Sequence, residues 1–382
     1  MSAEPILSTV PPARAARAGR PLAPLTFVAT VLALLVAVFV VYAFYATKGA
    51  SGSDWQTFYQ AAERWRDGRR VYTVADGFFN PPPTLLLLRP FLALGYVPSR
   101  VVWGALSTAM LLLSAVLTTD ALAWRPDPRT RLLTGWWILC SVPTMLLVPL
   151  TGNTSAVVLL SLSLSLWQFG RGREATAGAA LALALIKPQL AILAVLLLLY
   201  KRRWRALGGL AATMALVVLV SLPLVGLSVY GDFLAVERDV AGWTTSNDAL
   251  QLDVPGIHGM FLQQWPHDRA AEVVANGLSL LVVVVLAAYW RGPWRPSSAR
   301  FAVGWAQMVL CTLLVASYAH SYDLVLLVLP ALVIYRAVRR PWGGPLLVAL
   351  YMAPMLVLLY RQHFIVPATL LAILALWRTG EP

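Results

Sequence analysis

RGREATAGAALALALIKPQLAILAVLLLLYKRRWR, residues 171–205, decides how this chain folds. Two apolar runs, 175–187 and 189–200, lie between two basic clusters and meet at Lys187-Pro188. Proline lacks an amide hydrogen and clashes with the preceding turn, so two helices are expected rather than one. At about 1.5 Å per residue, each covers only about two-thirds of a hydrocarbon layer roughly 30 Å thick. Arginine and lysine concentrate in cytoplasmic loops of membrane proteins, so both basic ends are assigned to the cytoplasm. The hairpin then carries Lys187 into the outer half of the bilayer. A cation at that depth is costly, which makes a functional role the first reading; a lysine snorkelling from a helix end is the bland one.

Composition extends this reading to the whole chain. Of the 382 residues 59% are apolar and only 12% charged, and mean hydropathy is +0.70, which excludes an ordinary soluble domain. Further apolar runs lie at 25–46, about 100–124, 132–150, 154–169, 206–226, 273–290, 301–318, 322–338, 345–360 and 364–377. The expectation is an all-α polytopic membrane protein, a bundle of about 12 helical segments. One transmembrane domain spans 25–378, between a cytoplasmic tail at 1–24 and a short tail at 379–382. The run Leu25–Ala46 is too long for a signal-peptide core and reads as a retained anchor. Cys140 and Cys311 both fall in apolar runs and read as buried thiols.

Charge sets the orientation. With Arg14, Arg17 and Arg20 inside, alternating the loops places RPDPRTR, GRGRE, KRRWR, RGPWRPSSAR, RAVRRPW and Arg378 on the same side, and these hold most of the 30 basic residues. Most of the 17 acidic residues, together with His258, His267, His320 and His363, fall on the other side. Both termini are therefore assigned to the cytoplasm and the titratable chemistry to the extracytoplasmic face. The net charge of +13 reads as this topology signal; the basic residues are dispersed among short loops, which argues against nucleic-acid binding. Trp124, Trp136, Trp204, Trp290, Trp342 and Trp377, near segment ends, read as interfacial anchors.

Two outer loops are large, at about 48–100 and 227–272. In the first, SGSDWQTFYQAAERWRDGRRVYTV (51–74) has Trp55, Phe58, Tyr59, Ala62 and Trp65 at helical spacing, closed by Gly68, and is expected to lie flat on the outer leaflet. Asp54 opens this helix, either as a cap or as a reactive carboxylate. FFNPPPTLLLLRPFLALGYVPSR, which follows, reads as a second juxtamembrane helix bracketed by prolines. The second loop is expected to fold over the same face, so that the two roof a cavity. LTGNTS (150–155) places Gly152 and Asn153 at an outer turn, and SYAHSYD (317–323) sets His320 between Tyr318 and Tyr322 with Asp323 next, suited to proton handling or to hydrogen bonding with sugar and phosphate.

The first-loop segment, FFNPPPTLLLLRPF, LTGNTSAVVLLSLSL and the Lys-Pro hairpin, in this order, resemble the family 87 glycosyltransferases of bacteria. These are multispanning GT-C enzymes, similar to polyprenyl-phosphate-mannose-dependent α-mannosyltransferases. The resemblance implies a site on the outer face, where a polyprenyl-phosphate sugar donates its glycosyl group to a lipid or glycan hydroxyl with inversion. It implies Asp54 as general base and Lys187 facing the donor phosphate, with His320 a looser correspondence. Arg64, Arg69, Arg89, Tyr59, Asn153, Gln189 and Tyr322 complete the candidate donor and substrate contacts.

The residue types support the same chemistry. Inverting transfer needs one base and a cation for the leaving phosphate, not the paired carboxylates of a retaining glycosidase. The chain has no Walker loop, GxGxxG fingerprint or DxD pair, which disfavours a nucleotide-sugar donor; no cofactor and no metal are expected. The alternative is a lipid-linked sugar flippase or other secondary transporter, since broken helices and buried lysines occur there too, and an inactive envelope scaffold is a third. Transporters usually repeat the broken helix in both halves, and one such hairpin is present here.

The orientation has a direct test. Cysteines introduced at Ser53 or Asn247 are expected to react with an impermeant thiol reagent in intact cells, and cysteines at Pro126 or Ser298 are not. The reverse pattern would overturn it.

Overall fold

The computed structural model describes residues 54–73, 76–124, 127–139, 151–241, 254–265, 268–337, 343–360 and 365–379. The expected anchor Leu25–Ala46, the arginines before it, Cys140, His267, Trp342 and His363 lie outside the described residues. Among those described there are fifteen α-helices and no strand. They are α1 (Asp54–Arg66), α2 (Thr84–Leu88), α3 (Tyr96–Ala121), α4 (Pro128–Leu139), α5 (Ser155–Gly170), α6 (Glu174–Leu181), α7 (Pro188–Tyr200), α8 (Trp204–Val225), α9 (Leu227–Ala241), α10 (Ile257–Gln264), α11 (Arg269–Tyr289), α12 (Ala299–Val315), α13 (Val328–Ala337), α14 (Gly343–Tyr360) and α15 (Ile365–Thr379). Three 3₁₀ segments, Arg89–Leu94, Ala182–Ile186 and Ser321–Leu327, extend α2, extend α6 and lead into α13.

The chain is an all-α polytopic membrane protein. α3, α8 and α11 are each long and apolar enough to cross a membrane. Leu216, Leu219 and Leu224 of α8 and Val273, Leu280 and Leu281 of α11 point outward. Such a surface is unfavourable in water and matches the interior of a bilayer, where an exposed leucine loses nothing. At the centre stands α12, buried without interruption from Phe301 to Leu314 and begun by Ser298, whose hydroxyl accepts the amide hydrogen of Phe301. α15, α13, α11 and α7 pack around it. The tryptophans expected as anchors divide: Trp204 is 66% exposed, whereas Trp290 is buried against Trp294, Phe301 and Gly304.

Of the stripe expected on α1, Trp55, Phe58 and Ala62 are buried and Tyr59 and Trp65 half-buried, and protein covers the buried part rather than lipid. Ala61 is buried as well. Trp55 stacks on Trp103 of α3 with ring centroids 5.3 Å apart, meets Phe91 edge-on, and donates its indole hydrogen to Ser99 Oγ at 3.1 Å. The loops at about 48–100 and 227–272 also meet: Arg70 pairs with Asp232 of α9 at 3.3 Å, and the rings of Tyr72 and Phe233 lie 5.3 Å apart. The indole of Trp65 reaches the carbonyl of Val225.

The hairpin before Lys187 is held by α6 lying against α8 at backbone contact. A Cβ on Gly178 would stand 1.7 Å from the carbonyl oxygen of Ala206, and one on Gly209 would stand 2.0 Å from that of Ala175. Small residues facing each other in this way let membrane helices approach closely where hydrophobic burial gives no drive. Because the obstruction is backbone, it cannot rotate aside. Gly178→Leu is therefore expected to destabilise the protein by about 3 kcal/mol or more, a larger loss than the usual overpacking cost. An unchanged melting temperature in detergent would refute the contact.

Candidate active site

Four separate stretches of chain are brought to one place by turns the sequence enforces. At the LTGNTS turn, Gly152 has φ +70°, and a Cβ there would fall 2.5 Å from that of Trp55, so glycine is required both by the backbone and by the approach of α1. Asn153 then locks the turn. Its Oδ1 accepts the amide hydrogen of Ser155 at 2.9 Å, its Nδ2 donates to Thr151 at 2.7 Å, and its carbonyl accepts from the Trp103 indole at 3.3 Å. The result is Ser155 fixed at the first position of α5.

The Lys-Pro tip is built in the same manner. The amide of Lys187 closes the 3₁₀ turn on the carbonyl of Ala184 at 3.0 Å, and Pro188 opens α7 at a position where no amide hydrogen is needed. Asn80 of the first loop donates to the carbonyl of Ile186 at 3.2 Å and is itself held by the Tyr72 hydroxyl on its carbonyl at 2.6 Å. In SYAHSYD, Asp323 folds the turn back on itself, its Oδ2 accepting the amide hydrogen of His320 at 2.9 Å. The imidazole lies between Tyr318 and Tyr322, 5.0 Å from each ring.

At the centre is Lys187, only 8% exposed. Its Nζ lies 2.7 Å from Asp323 Oδ1 and 3.1 Å from Ser155 Oγ, and sits over the Tyr322 ring at 4.4 Å. Ser155 in turn donates to the same Asp323 oxygen at 2.5 Å. Asp323 itself is fully buried. The lysine's charge is thus answered by a carboxylate rather than by water, which is what its burial demands.

Asp54 completes the group. It opens α1, and its carboxylate accepts a hydrogen bond from the Tyr322 hydroxyl. Burial holds its carboxyl above the ordinary value of 3.8, a rise opposed by Lys187 and His320 and reinforced by Asp323. The Tyr318 phenol is pushed up to about 12, first by its own burial and then by Asp54. A carboxylate of raised basicity, a buried ammonium, a histidine and two phenols therefore share one space. Such a set can take a proton from a hydroxyl and can receive an anion. Among the described residues no three His, Cys, Asp or Glu side chains converge in a way that could hold a metal ion.

Of the residues expected from sequence, the fold brings Asp54, Lys187, His320 and Tyr322 together. Asn153 shapes the turn beneath them, and Gln189 occupies the first turn of α7, half-buried. Arg64, Arg69 and Arg89 find partners elsewhere: Arg64 pairs with Asp76 at 3.0 Å, Arg69 with Asp67 at 2.9 Å, and Arg89 lies over the Trp65 ring. Tyr59 packs edge-on against Tyr96. His258 is hydrogen-bonded to Asn276. Ser155 and the Asp323 carboxylate as partners of the lysine were not foreseen. A signal existed, since a buried lysine needs a counter-ion and Asp323 stands directly before the apolar run of 324–335.

Comparison with known proteins adds one finding. The family model for glycosyltransferase family 87 matches residues 78–319, a stretch that includes Ser155 and Lys187 and stops short of Asp54, His320 and Asp323. No curated protein matches the chain significantly. Since the family match covers more than half of a helical membrane protein, the chain belongs to glycosyltransferase family 87 and is a glycosyltransferase.

Proposed function

We propose that this glycosyltransferase takes its sugar from a polyprenyl-phosphate donor and passes it, with inversion, to a hydroxyl of a lipid or glycan acceptor at the extracytoplasmic face of the bacterial cytoplasmic membrane. The observation that carries the proposal is Asp54 gathered with Lys187, His320 and Tyr322 at the Lys-Pro tip. The donor is a phosphodiester within reach of lipid, and a membrane-embedded ammonium suits its phosphate. Mannose is the first candidate sugar, from the resemblance to polyprenyl-phosphate-mannose-dependent enzymes.

In the reaction, Asp54 accepts the proton of the acceptor hydroxyl as its oxygen bonds to the anomeric carbon, and the bond from that carbon to the phosphate oxygen breaks. The leaving polyprenyl phosphate gains one negative charge. Lys187 stands to stabilise that charge, and His320 and the tyrosine hydroxyls can donate to the phosphate or to sugar oxygens. The basicity given to Asp54 by burial favours it as a base over an ordinary helix cap. Exposed Arg69 and Arg89 are assigned to lipid headgroups at the rim, and the loops meeting through Arg70 and Asp232 to the roof.

Purified protein supplied with polyprenyl-phosphate sugars is expected to transfer the sugar; vectorial movement without transfer would support a transporter instead. Asp54→Asn is expected to keep donor binding and lower turnover by roughly 10² to 10⁴, the usual contribution of general base catalysis. In the wild type the Asp54 carboxyl, raised above 3.8, takes up its proton at a higher pH than an exposed aspartate. Activity should therefore fall as pH drops through that raised value, and this acid limb should vanish in Asp54→Asn. Near-normal turnover in that variant would reduce Asp54 to a cap. Lys187→Ala should weaken the donor more than the acceptor. His320→Ala should cost about as much as Asp54→Asn, with a double variant little worse than either, because groups acting as a unit are not additive.

A further inference from the structure

We infer that Asp323 is the positioning residue that aims Lys187 at the donor phosphate, clamping the lysine tip, the Ser155 turn and the His320 turn into one receiving surface. The inference rests on the donor reading above. It comes from how the two carboxylate oxygens are shared. Oδ1 serves Lys187 Nζ at 2.7 Å and Ser155 Oγ at 2.5 Å, while Oδ2 serves the amide of His320 at 2.9 Å. One fully buried side chain therefore joins stretches of chain 136 and 168 residues away.

The consequences follow from donor counting. An ammonium has three N–H groups. Asp323 and Ser155 engage two of them, and the Tyr322 ring lies 4.4 Å from Nζ, so the rotation of the head group is restrained. The remaining N–H is the one a phosphate oxygen would accept. Without Asp323 the ammonium would be a buried charge free to rotate or to retract along its flexible stem, and the tip would lose its tie to the His320 turn. Asp54 and Tyr322 are the other titratable groups near the lysine, and among the described residues only Asp323 contacts it as an ion pair. Asp323 has its oxygens committed to protein partners, which separates it from Asp54 as a proton acceptor.

A purely structural role makes a different prediction, so the two can be told apart. The full-length protein in detergent is compared as wild type, Asp323→Asn, Ser155→Ala and the double variant Lys187→Met/Asp323→Asn, measuring melting temperature and direct binding of a polyprenyl phosphate lacking the sugar. Removing one partner of a buried ion pair leaves an uncompensated charge, whereas removing both is often neutral. Asp323→Asn should therefore melt lower, and the double variant should recover most of the loss. Phosphate affinity should behave otherwise: about tenfold or more weaker in Asp323→Asn, in line with loss of a charged hydrogen bond, and not restored in the double variant. Ser155→Ala, which keeps the ion pair and should fold, should weaken binding by about three- to tenfold, so that the test survives if Asp323→Asn does not fold.

Phosphate affinity within twofold of wild type in folded Asp323→Asn, or in Ser155→Ala if that is the variant available, would overturn the inference. So would recovery of binding along with stability in the double variant. Failure of the wild type itself to bind polyprenyl phosphate would instead overturn the donor reading, and the inference with it.

Discussion

The structure depends on a buried cation having found its anion. Lys187 is held inside an apolar bundle, and Asp323, 136 residues away in sequence, is the carboxylate that answers it. Each would be intolerable there alone, since an unpaired charge in a low-dielectric interior costs far more than any single packing contact returns. Their pairing obliges the Lys-Pro hairpin, the LTGNTS turn and the SYAHSYD turn to meet. A fold that left any of these apart would leave the charge unanswered.

That constraint is useful only if the frame around it is stiff, and the frame is made of small residues and large rings. Gly178 and Gly209 bring α6 and α8 into backbone contact, which anchors the hairpin from one end. Trp55, Phe91 and Trp103 form an aromatic joint that seats the start of α1 against the Gly152 turn. α12, buried along its length, supplies a fixed post from which the SYAHSYD turn departs. Polar groups set on such a frame need little reorganisation when charge develops near them, and preorganisation of this kind is usually the largest part of electrostatic catalysis.

Two carboxylates of like chemistry are given different environments in this site. Asp323 accepts from an ammonium, a hydroxyl and an amide, which commits its oxygens to protein partners and to a structural position. Asp54 sits half-buried at the head of α1 with the Tyr322 hydroxyl as its hydrogen-bond partner, and burial raises its affinity for a proton. On the proposed reading, one anion organises and the other reacts. Divergent surroundings around paired titratable groups are how a single site separates such roles.

The sequence by itself determined the helical class, the membrane setting, the broken hairpin and the lysine at its tip, because hydrophobic runs, prolines and basic clusters are local signals read within a few turns of helix. Asp54 and His320 were legible too, as polar residues in stretches that charge and amphipathic spacing set apart. The apolar stripe of α1 was read correctly at Trp55, Phe58 and Ala62, and its covering was not: periodicity shows that a face must be buried, and only the tertiary structure put Trp103, Phe91 and Gly152 over it rather than lipid. The same limit applied to the arginines. Their number near Asp54 suggested a phosphate-binding cluster, yet Arg64, Arg69 and Arg89 turned to Asp76, Asp67 and Trp65, since a side chain takes the partner within reach. That the lysine must have a counter-ion was legible, but which groups answer it was decided by tertiary structure: Asp323 lies 136 residues away and Ser155 32, beyond the reach of local spacing.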